Sequence, residues 1–96
     1  MHIDDLDTPH LVVDLDGLED NLDRYQSYFS SHNIGLRPHI KTHKCLAIAH
    51  MQMDRGAMGI TCQKLGEAEV MVAGGVNRDV LIPFNIIGQQ KLERLT

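Results

Sequence analysis

The sequence contains few of the residues on which nucleic-acid-binding proteins depend. Among its 96 residues there is no Trp, and Tyr and Phe occur only twice each, so few aromatic rings are available to stack on bases. Lys and Arg number 9 against 13 Asp and Glu, which gives a formal net charge of −4. A binder of phosphate backbones needs a basic surface, so we expect no nucleic-acid partner.

Long apolar runs and cysteines are also scarce. No apolar run is long enough for a membrane-spanning helix, and Met1–Asp5 lack the cationic-then-apolar order of a secretory signal. These absences predict a cytoplasmic protein with no membrane partner. Cys45 and Cys62 have neither a CxxC spacing nor the density of a disulfide framework, which favours buried, reduced thiols.

The hydrophobic pattern predicts alternating strands and helices. A short strand is expected at Leu11–Leu15, followed by a helix that is N-capped by Asp16 and carries an apolar stripe. After residue 33 the pattern changes from strand to helix three times. The stripe consists of Leu18, Leu22, Tyr25 and Phe29. The later strands cover residues 34–41, 57–62 and 79–82. The later helices cover 46–53, a stretch from Leu65 to Gly74 that packs through Leu65, Ala68 and Val72, and a weakly helical tail through Leu92 and Leu95.

Strand starts spaced by about 22 residues are typical of consecutive βα units. A closed eight-stranded β/α barrel takes about 250 residues, whereas this chain supplies only three such units. The predicted fold class is therefore α/β, with residues 16–96 as the first three βα units of an incomplete, TIM-like barrel. We expect the chain to be the N-terminal part of a larger protein.

The segment Arg37–Lys44 (RPHIKTHK) carries the most chemical information. Basic and apolar residues alternate through it at the two-residue period of a strand, which places Lys41 on the same face as His39 and Arg37. Pro38 is an objection to a central strand and is typical of an edge. Neighbouring positive charge and partial burial disfavour the ammonium form, so the neutral amine of Lys41 could attack an aldehyde. The pattern indicates a candidate Schiff-base lysine, although a solvated basic stretch has the same composition.

Several other polar residues have both a functional and a structural interpretation. Gln63 follows the second predicted strand at its carboxyl end, where it is either a site residue or a polar residue at a helix start. His39 and Arg37 either influence Lys41 or make structural hydrogen bonds. Glu67 and Glu69 are expected on a solvated first helical turn, where carboxylates favour the helix dipole.

Four segments together resemble a known enzyme family. They are Asp7–Pro9, Leu11–Asp16, Leu36–Lys44 and Gly59–Glu69. Their content and order are similar to the start of the D-threonine aldolases and the eukaryotic-type D-serine dehydratases, which share the alanine-racemase-like fold. The resemblance covers nearly all of the chain and separates the members of the family poorly.

This resemblance implies a pyridoxal-phosphate-dependent, metal-assisted lyase that acts on a small D-amino acid. In such an enzyme Lys41, and not Lys44, would hold the cofactor covalently. Arg37, His39 and Gln63 would be further candidates for cofactor binding. The resemblance thus gives the Arg37–Lys44 segment a specific chemical role.

The same resemblance places part of the machinery outside these residues. Residues 1–15 would supply a strand to a C-terminal β domain that is not present in this chain. The ligands of the divalent metal ion and most groups that hold the cofactor phosphate would also lie outside the chain. The full-length protein is expected to be a homodimer.

Two classes of function stay open. The first is a lyase that cleaves a β-hydroxy D-amino acid in the manner of D-threonine aldolase, with a D-serine dehydratase, an ammonia-lyase, as its alternative. The second is a non-catalytic barrel protein that binds pyridoxal phosphate. A downstream β domain that carries His with Cys or Asp as metal ligands would favour the lyase.

Overall fold

Four helices and two short strands form the regular structure, and the computed structural model describes all residues from 1 to 96. In chain order the elements are a one-turn 3₁₀ helix (Ile3–Asp5), α1 (Leu15–Ser31), α2 (Leu46–Asp54), β1 (Gly59–Thr61), α3 (Leu65–Ala73), β2 (Asp79–Leu81) and α4 (Gln89–Leu95). The content is therefore mixed α/β. No helix combines the length and the apolar character that crossing a membrane requires.

The two strands are parallel and in register. Gly59 pairs with Asp79 and Thr61 pairs with Leu81, and the Cys62 N–H then donates to the Leu81 carbonyl at 2.8 Å. Parallel neighbours need a crossover connection, and α3 provides it. The predicted strand–helix–strand order is confirmed for this part of the chain.

Residues 36–40, which we call the edge segment, run parallel to β1 on its other side. The Thr61 N–H donates to the Pro38 carbonyl at 2.8 Å, and the Ile40 N–H donates to the Thr61 carbonyl at 2.9 Å. Only His39 forms a bridge, so the predicted first strand is shorter than expected. The reason is that Pro38 has no N–H to offer a longer ladder and the chain turns away after Ile40.

The core lies between the parallel segments and helices α2 and α3. Ile40, Ile60 and Cys62 have no exposed surface, as expected for alternate positions that face the helices. The other core residues come from the helices and their connections: Ala49, Met53, Ala57, Ala68, Met71 and Val76. The opposite face of the parallel segments, which includes Arg37 and His39, is the face that carries polar groups.

The predicted packing of two helix residues is wrong. Tyr25 of α1 is 62% exposed and Val72 of α3 is 56% exposed. In α3, Met71 is buried instead. Val72 lines an open groove beside Leu65, Ala68 and Val80, so its side chain stays accessible although it lies on the apolar side of α3.

The chain before α1 forms no strand in this structure. Residues 11–13 are unpaired and largely exposed, and Leu15 is the first residue of α1 rather than the last of a strand. Asp14, not Asp16, is the N-cap, because its carboxylate accepts a hydrogen bond from the Gly17 N–H at 3.1 Å. An extended segment forms a strand only where a partner pairs with its backbone groups. The pairing with a second β domain stays a prediction.

Arg37 crosses β1 at the point where Gly59 leaves room. The Arg37 Nη1 donates to the Asp79 carbonyl at 2.9 Å, and Nη2 lies 3.4 Å from the Asp79 carboxylate. A Cβ atom on Gly59 would overlap both the Asp79 carbonyl oxygen and the guanidinium. These contacts join the amino-terminal ends of the edge segment, β1 and β2.

Candidate active site

The carboxyl ends of the edge segment and β1 bring two polar loops to the same side of the sheet. After the edge segment the chain turns through Lys41–Lys44, and after β1 it passes through Gln63 and Lys64 into α3. Proteins with parallel α/β sheets place their ligands at this side. Lys41 and Gln63 are the predicted site residues that the topology places at this end.

A closed turn carries Lys41. The Lys44 N–H donates to the Ile40 carbonyl at 2.8 Å, and the Thr42 hydroxyl donates to the His39 carbonyl at 3.3 Å. Within this turn the Lys41 N–H donates to Nδ1 of His39 at 3.3 Å. The backbone that bears Lys41 is therefore fixed by local hydrogen bonds.

The two lysines of this turn differ in their partners. The expectation that Lys41 is partly buried is wrong, because it is exposed on the turn that follows the edge segment. Its amine makes no hydrogen bond or ion pair, whereas the Lys44 ammonium forms an ion pair with Glu67. A primary amine without a partner can add to an aldehyde, and an ammonium held by a carboxylate is less available to do so. The structure thus gives the two lysines different surroundings.

His39 and Arg37 are placed at different distances from this turn. His39 contacts the Lys41 backbone and lines a cavity of about 330 Å³ between α1, α2 and the edge segment. Arg37 reaches Asp79 at the amino-terminal end of the parallel segments, away from Lys41. Arg37 therefore makes structural hydrogen bonds, which were the alternative to a role in cofactor binding.

A buried carboxylate connects the two loops. Glu67, the third residue of α3, is 7% exposed. One of its oxygens accepts a hydrogen bond from the Lys44 ammonium and the other accepts from the Gln63 N–H at 2.7 Å. The hydrogen bond from Lys44 contributes most to holding the pKa of Glu67 below its usual range, while burial opposes this shift.

The expectation that Glu67 lies on a solvated turn is therefore wrong. Its side chain folds back onto the preceding loop instead of facing water. The only signal in the sequence is its place in the first helical turn, from which a glutamate can reach backbone N–H groups. Glu69 is half-buried and forms an ion pair with Arg94 of α4.

The Cys62 thiol does not have the environment of a nucleophile. Both cysteines are free, and Cys62 is fully buried. Burial raises the pKa of the Cys62 thiol, and the nearby charge of Glu67 raises it further. Because the thiolate is the reactive form, Cys62 is a packing residue.

Comparisons with known proteins give the chain its relatives. A D-threonine aldolase from Arthrobacter sp is 46% identical over 90 residues, which are 94% of this chain and 24% of that enzyme. The crystal structure of D-threonine aldolase from Filomicrobium marinum matches with a TM-score of 0.92 at 52% identity, over 97% of this chain and 25% of that one. The chain is a homologue of D-threonine aldolase.

A dehydratase is also similar to this chain. D-threo-3-hydroxyaspartate dehydratase from Delftia sp. HT23 has a TM-score of 0.86 at 37% identity, over 95% of this chain and 24% of that one. A variant of such a dehydratase has been solved in a metal-free form. The present chain spans about a quarter of the length of the relatives it matches. No family model matches the sequence.

His43 is a partly buried histidine in the turn that carries Lys41. Its Nδ1 accepts a hydrogen bond from the Cys45 N–H at 2.9 Å. Its Nε2 and the Oε1 of Gln52 are buried without hydrogen-bond partners. Burial lowers the pKa of His43 below its ordinary value of 6.5.

This shift predicts that acid destabilises the fold through His43. The folded protein binds the proton of His43 less readily than the unfolded chain does. The stabilising contribution is therefore complete above pH 6.5 and is lost as the pH falls through the lowered pKa. His43→Asn should flatten the decrease of the thermal midpoint below pH 6.5, whereas His10→Asn, at an exposed position, should not. An equally steep decrease in His43→Asn and the unsubstituted protein would refute this role.

Proposed function

We propose that the whole protein is a pyridoxal-phosphate-dependent lyase that cleaves a β-hydroxy D-amino acid in the manner of D-threonine aldolase. The observation that carries the proposal is the amine of Lys41, which has no partner and follows the edge segment at its carboxyl end. Such an amine can bond covalently to the aldehyde of the cofactor. The similarity to D-threonine aldolases supports this assignment.

The proposal includes the fold of the whole protein. We propose that the parallel segments begin a β/α barrel of the alanine racemase type, with residues 1–15 contributing to a second β domain in a homodimer. The order of edge segment, β1 and β2, with a helix after each, supports the barrel. Barrel enzymes carry their catalytic groups at the carboxyl ends of the strands, which is where Lys41 lies.

The residues present fit the cofactor at Lys41, because its amine is exposed and has no competing partner. When bound, pyridoxal phosphate supplies a ring that accepts electrons from the α-carbon of the substrate. The contribution of the chain is to hold the cofactor through the Nζ of Lys41. With substrate bound, the Nζ of Lys41 would be placed to accept or donate a proton.

Gln63 and His39 are the next residues assigned to this site. The Gln63 N–H is held by Glu67 at 2.7 Å, while its side-chain amide makes no hydrogen bond and can face the cofactor. His39 fixes the backbone of Lys41. We therefore assign Gln63 to cofactor binding and His39 to the orientation of the turn.

The divalent metal ion implied by the family resemblance would be held outside this chain. No three His, Cys, Asp or Glu side chains of the chain lie close enough together to hold a metal ion. The residues present do not fit a metal centre. Their proposed roles are therefore confined to the cofactor and the proton at Lys41.

Dehydration of a β-hydroxy D-amino acid is the second candidate, and the similarity to D-threo-3-hydroxyaspartate dehydratase favours it. Both reactions use the same covalent link to the cofactor. They differ in the bond that breaks, which is the bond between the α- and β-carbons in an aldolase and the bond between the β-carbon and its hydroxyl oxygen in a dehydratase.

Product analysis tests the proposal. The whole protein, loaded with pyridoxal phosphate and supplied with a divalent metal ion, is incubated with D-threonine and separately with D-threo-3-hydroxyaspartate. Glycine and acetaldehyde from D-threonine are the expected products. Ammonia without glycine from the hydroxyaspartate would establish the dehydratase instead, and no product from a protein that still binds the cofactor would favour a non-catalytic carrier.

A further inference from the structure

The Glu67 carboxylate depends on a residue of the turn that carries Lys41. The side chain of Glu67 is 6% exposed, whereas that of Lys44 is 57% exposed. Both carboxylate oxygens are used, one by the Lys44 ammonium and the other by the Gln63 N–H. A buried carboxylate is strongly destabilised when it loses its charged partner, so folding favours the arrangement in which this pair is formed.

Lys44 has a backbone conformation that needs support from its surroundings. Its φ angle is 49°, in the left-handed region that residues other than glycine rarely adopt. Its N–H closes the turn onto the Ile40 carbonyl at 2.8 Å, while its side chain reaches Glu67. Lys41 lies inside the turn that these two contacts define.

We propose that Glu67 is a positioning residue for Lys41 and acts through Lys44. The inference rests on the proposed function, which gives Lys41 a cofactor to hold. Glu67 fastens the Ile40–Lys44 turn to the loop that begins at Gln63, so that the two loops keep a fixed separation. Because both of its oxygens are occupied and buried, Glu67 does not itself contact the reacting atoms.

The arrangement explains why a carboxylate is present at this position. A neutral amide of the same shape could still accept the hydrogen bond from the Gln63 N–H, which would preserve the start of α3. It would not pair with the charge of Lys44, so the turn would keep its internal hydrogen bonds but lose its link to the loop that begins at Gln63. Glu67→Gln therefore separates the positioning of Lys41 from the folding of the helix.

The first test is the kinetics of Glu67→Gln in the whole protein with pyridoxal phosphate bound. A reactive group displaced by about 1 Å costs roughly a hundredfold in rate, so kcat should fall by about 10- to 100-fold. KM for the amino acid should change by less than about threefold, because Glu67 does not bind the substrate. A kcat within about twofold of the unsubstituted protein would overturn the inference.

The second test needs no activity. Amide hydrogen exchange is measured on cofactor-free whole protein for the peptide that contains Ile40–Lys44. In Glu67→Gln these amides should exchange faster, while those of α2 stay protected. Glu69→Gln is the matched control. It also removes a carboxylate from α3, but the Glu69 carboxylate pairs with Arg94 and not with the turn. Equal exchange in Glu67→Gln and the unsubstituted protein would overturn the inference.

A second variant breaks the same ion pair from its exposed side. Lys44→Gln leaves Glu67 in place and should give the same fall in kcat and the same faster exchange. The double variant should be no slower than either single one, because both remove the same interaction. Independent, multiplied losses, or an unchanged Lys44→Gln, would show that Glu67 does not act through Lys44.

The outcomes also separate this inference from the proposed function. If the unsubstituted protein neither binds pyridoxal phosphate covalently nor cleaves substrate, the proposed function is wrong and the positioning role falls with it. If it does both and Glu67→Gln behaves identically, only the role of Glu67 is wrong.

Discussion

Lys41→Ala is expected to abolish the covalent link between the whole protein and pyridoxal phosphate and to lower kcat by roughly a thousandfold or more. Both effects would have one cause, since in the proposed function the same amine holds the cofactor and moves the proton. No second free amine exists in the turn to replace it, because Lys44 is held by Glu67. The visible absorption of the bound cofactor and the turnover number measure the two losses.

Lys44→Ala is the matched control, since it removes a lysine from the same turn. It should keep the covalent link on Lys41, although the looser turn should slow turnover. The role of Lys41 would be wrong if Lys41→Ala retained turnover without an added amine. It would also be wrong if the link disappeared in Lys44→Ala and survived in Lys41→Ala.

Gly59→Ala is expected to have the largest effect on folding. The new Cβ atom would overlap the Asp79 carbonyl oxygen and the Arg37 guanidinium, and the first of these belongs to the backbone of β2. Relief would require the strands to separate or the Arg37 contact to break. Overpacking of this kind costs about 1–3 kcal/mol, and more where the backbone must shift. The thermal midpoint of the whole protein should fall accordingly.

Gly66→Ala provides the comparison for this variant. Nothing lies within 4 Å of a Cβ atom at Gly66, which is the second residue of α3. Alanine in a helix is favoured over glycine by about 0.5–1 kcal/mol, so the thermal midpoint should rise or stay the same. If both variants had the same midpoint as the unsubstituted protein, the close approach of β2 to Gly59 would be contradicted.

The order of elements after residue 33 could be predicted because its signals are local. Gly56 and Gly75 follow α2 and α3 with φ angles of 112° and 92°, which is the backbone conformation that glycine supplies at helix ends. Apolar runs at residues 57–62 and 79–82 gave the two parallel strands. Neighbouring residues determine such features, so the sequence is sufficient to locate them.

Features that depend on distant partners could not be predicted in the same way. Glu67 is buried in an ion pair with a lysine 23 positions away, and Arg37 contacts a residue 42 positions away. Nothing in the local sequence of either residue distinguishes it from a solvated charge. Residues 11–13 have side chains that favour a strand, but their backbone groups pair with no other strand of this structure, so the local pattern alone predicted too much.

Lys41 belongs to both groups. Its place after the edge segment follows from the alternating pattern, but the difference between Lys41 and Lys44 depends on the ion pair with Glu67. The sequence and the family resemblance predicted which lysine should react. The structure adds a physical reason for the choice between the two, since the amine of Lys41 has no partner whereas that of Lys44 is paired with Glu67.

Borohydride reduction followed by peptide mapping tests this choice most directly. The whole protein is loaded with pyridoxal phosphate, reduced, digested and analysed by mass spectrometry. We expect the reduced cofactor on Lys41, with Lys44 unmodified. A reduced adduct on Lys44, or no adduct on either lysine in a protein that cleaves its substrate, would contradict the assignment of Lys41 as the lysine that holds the cofactor.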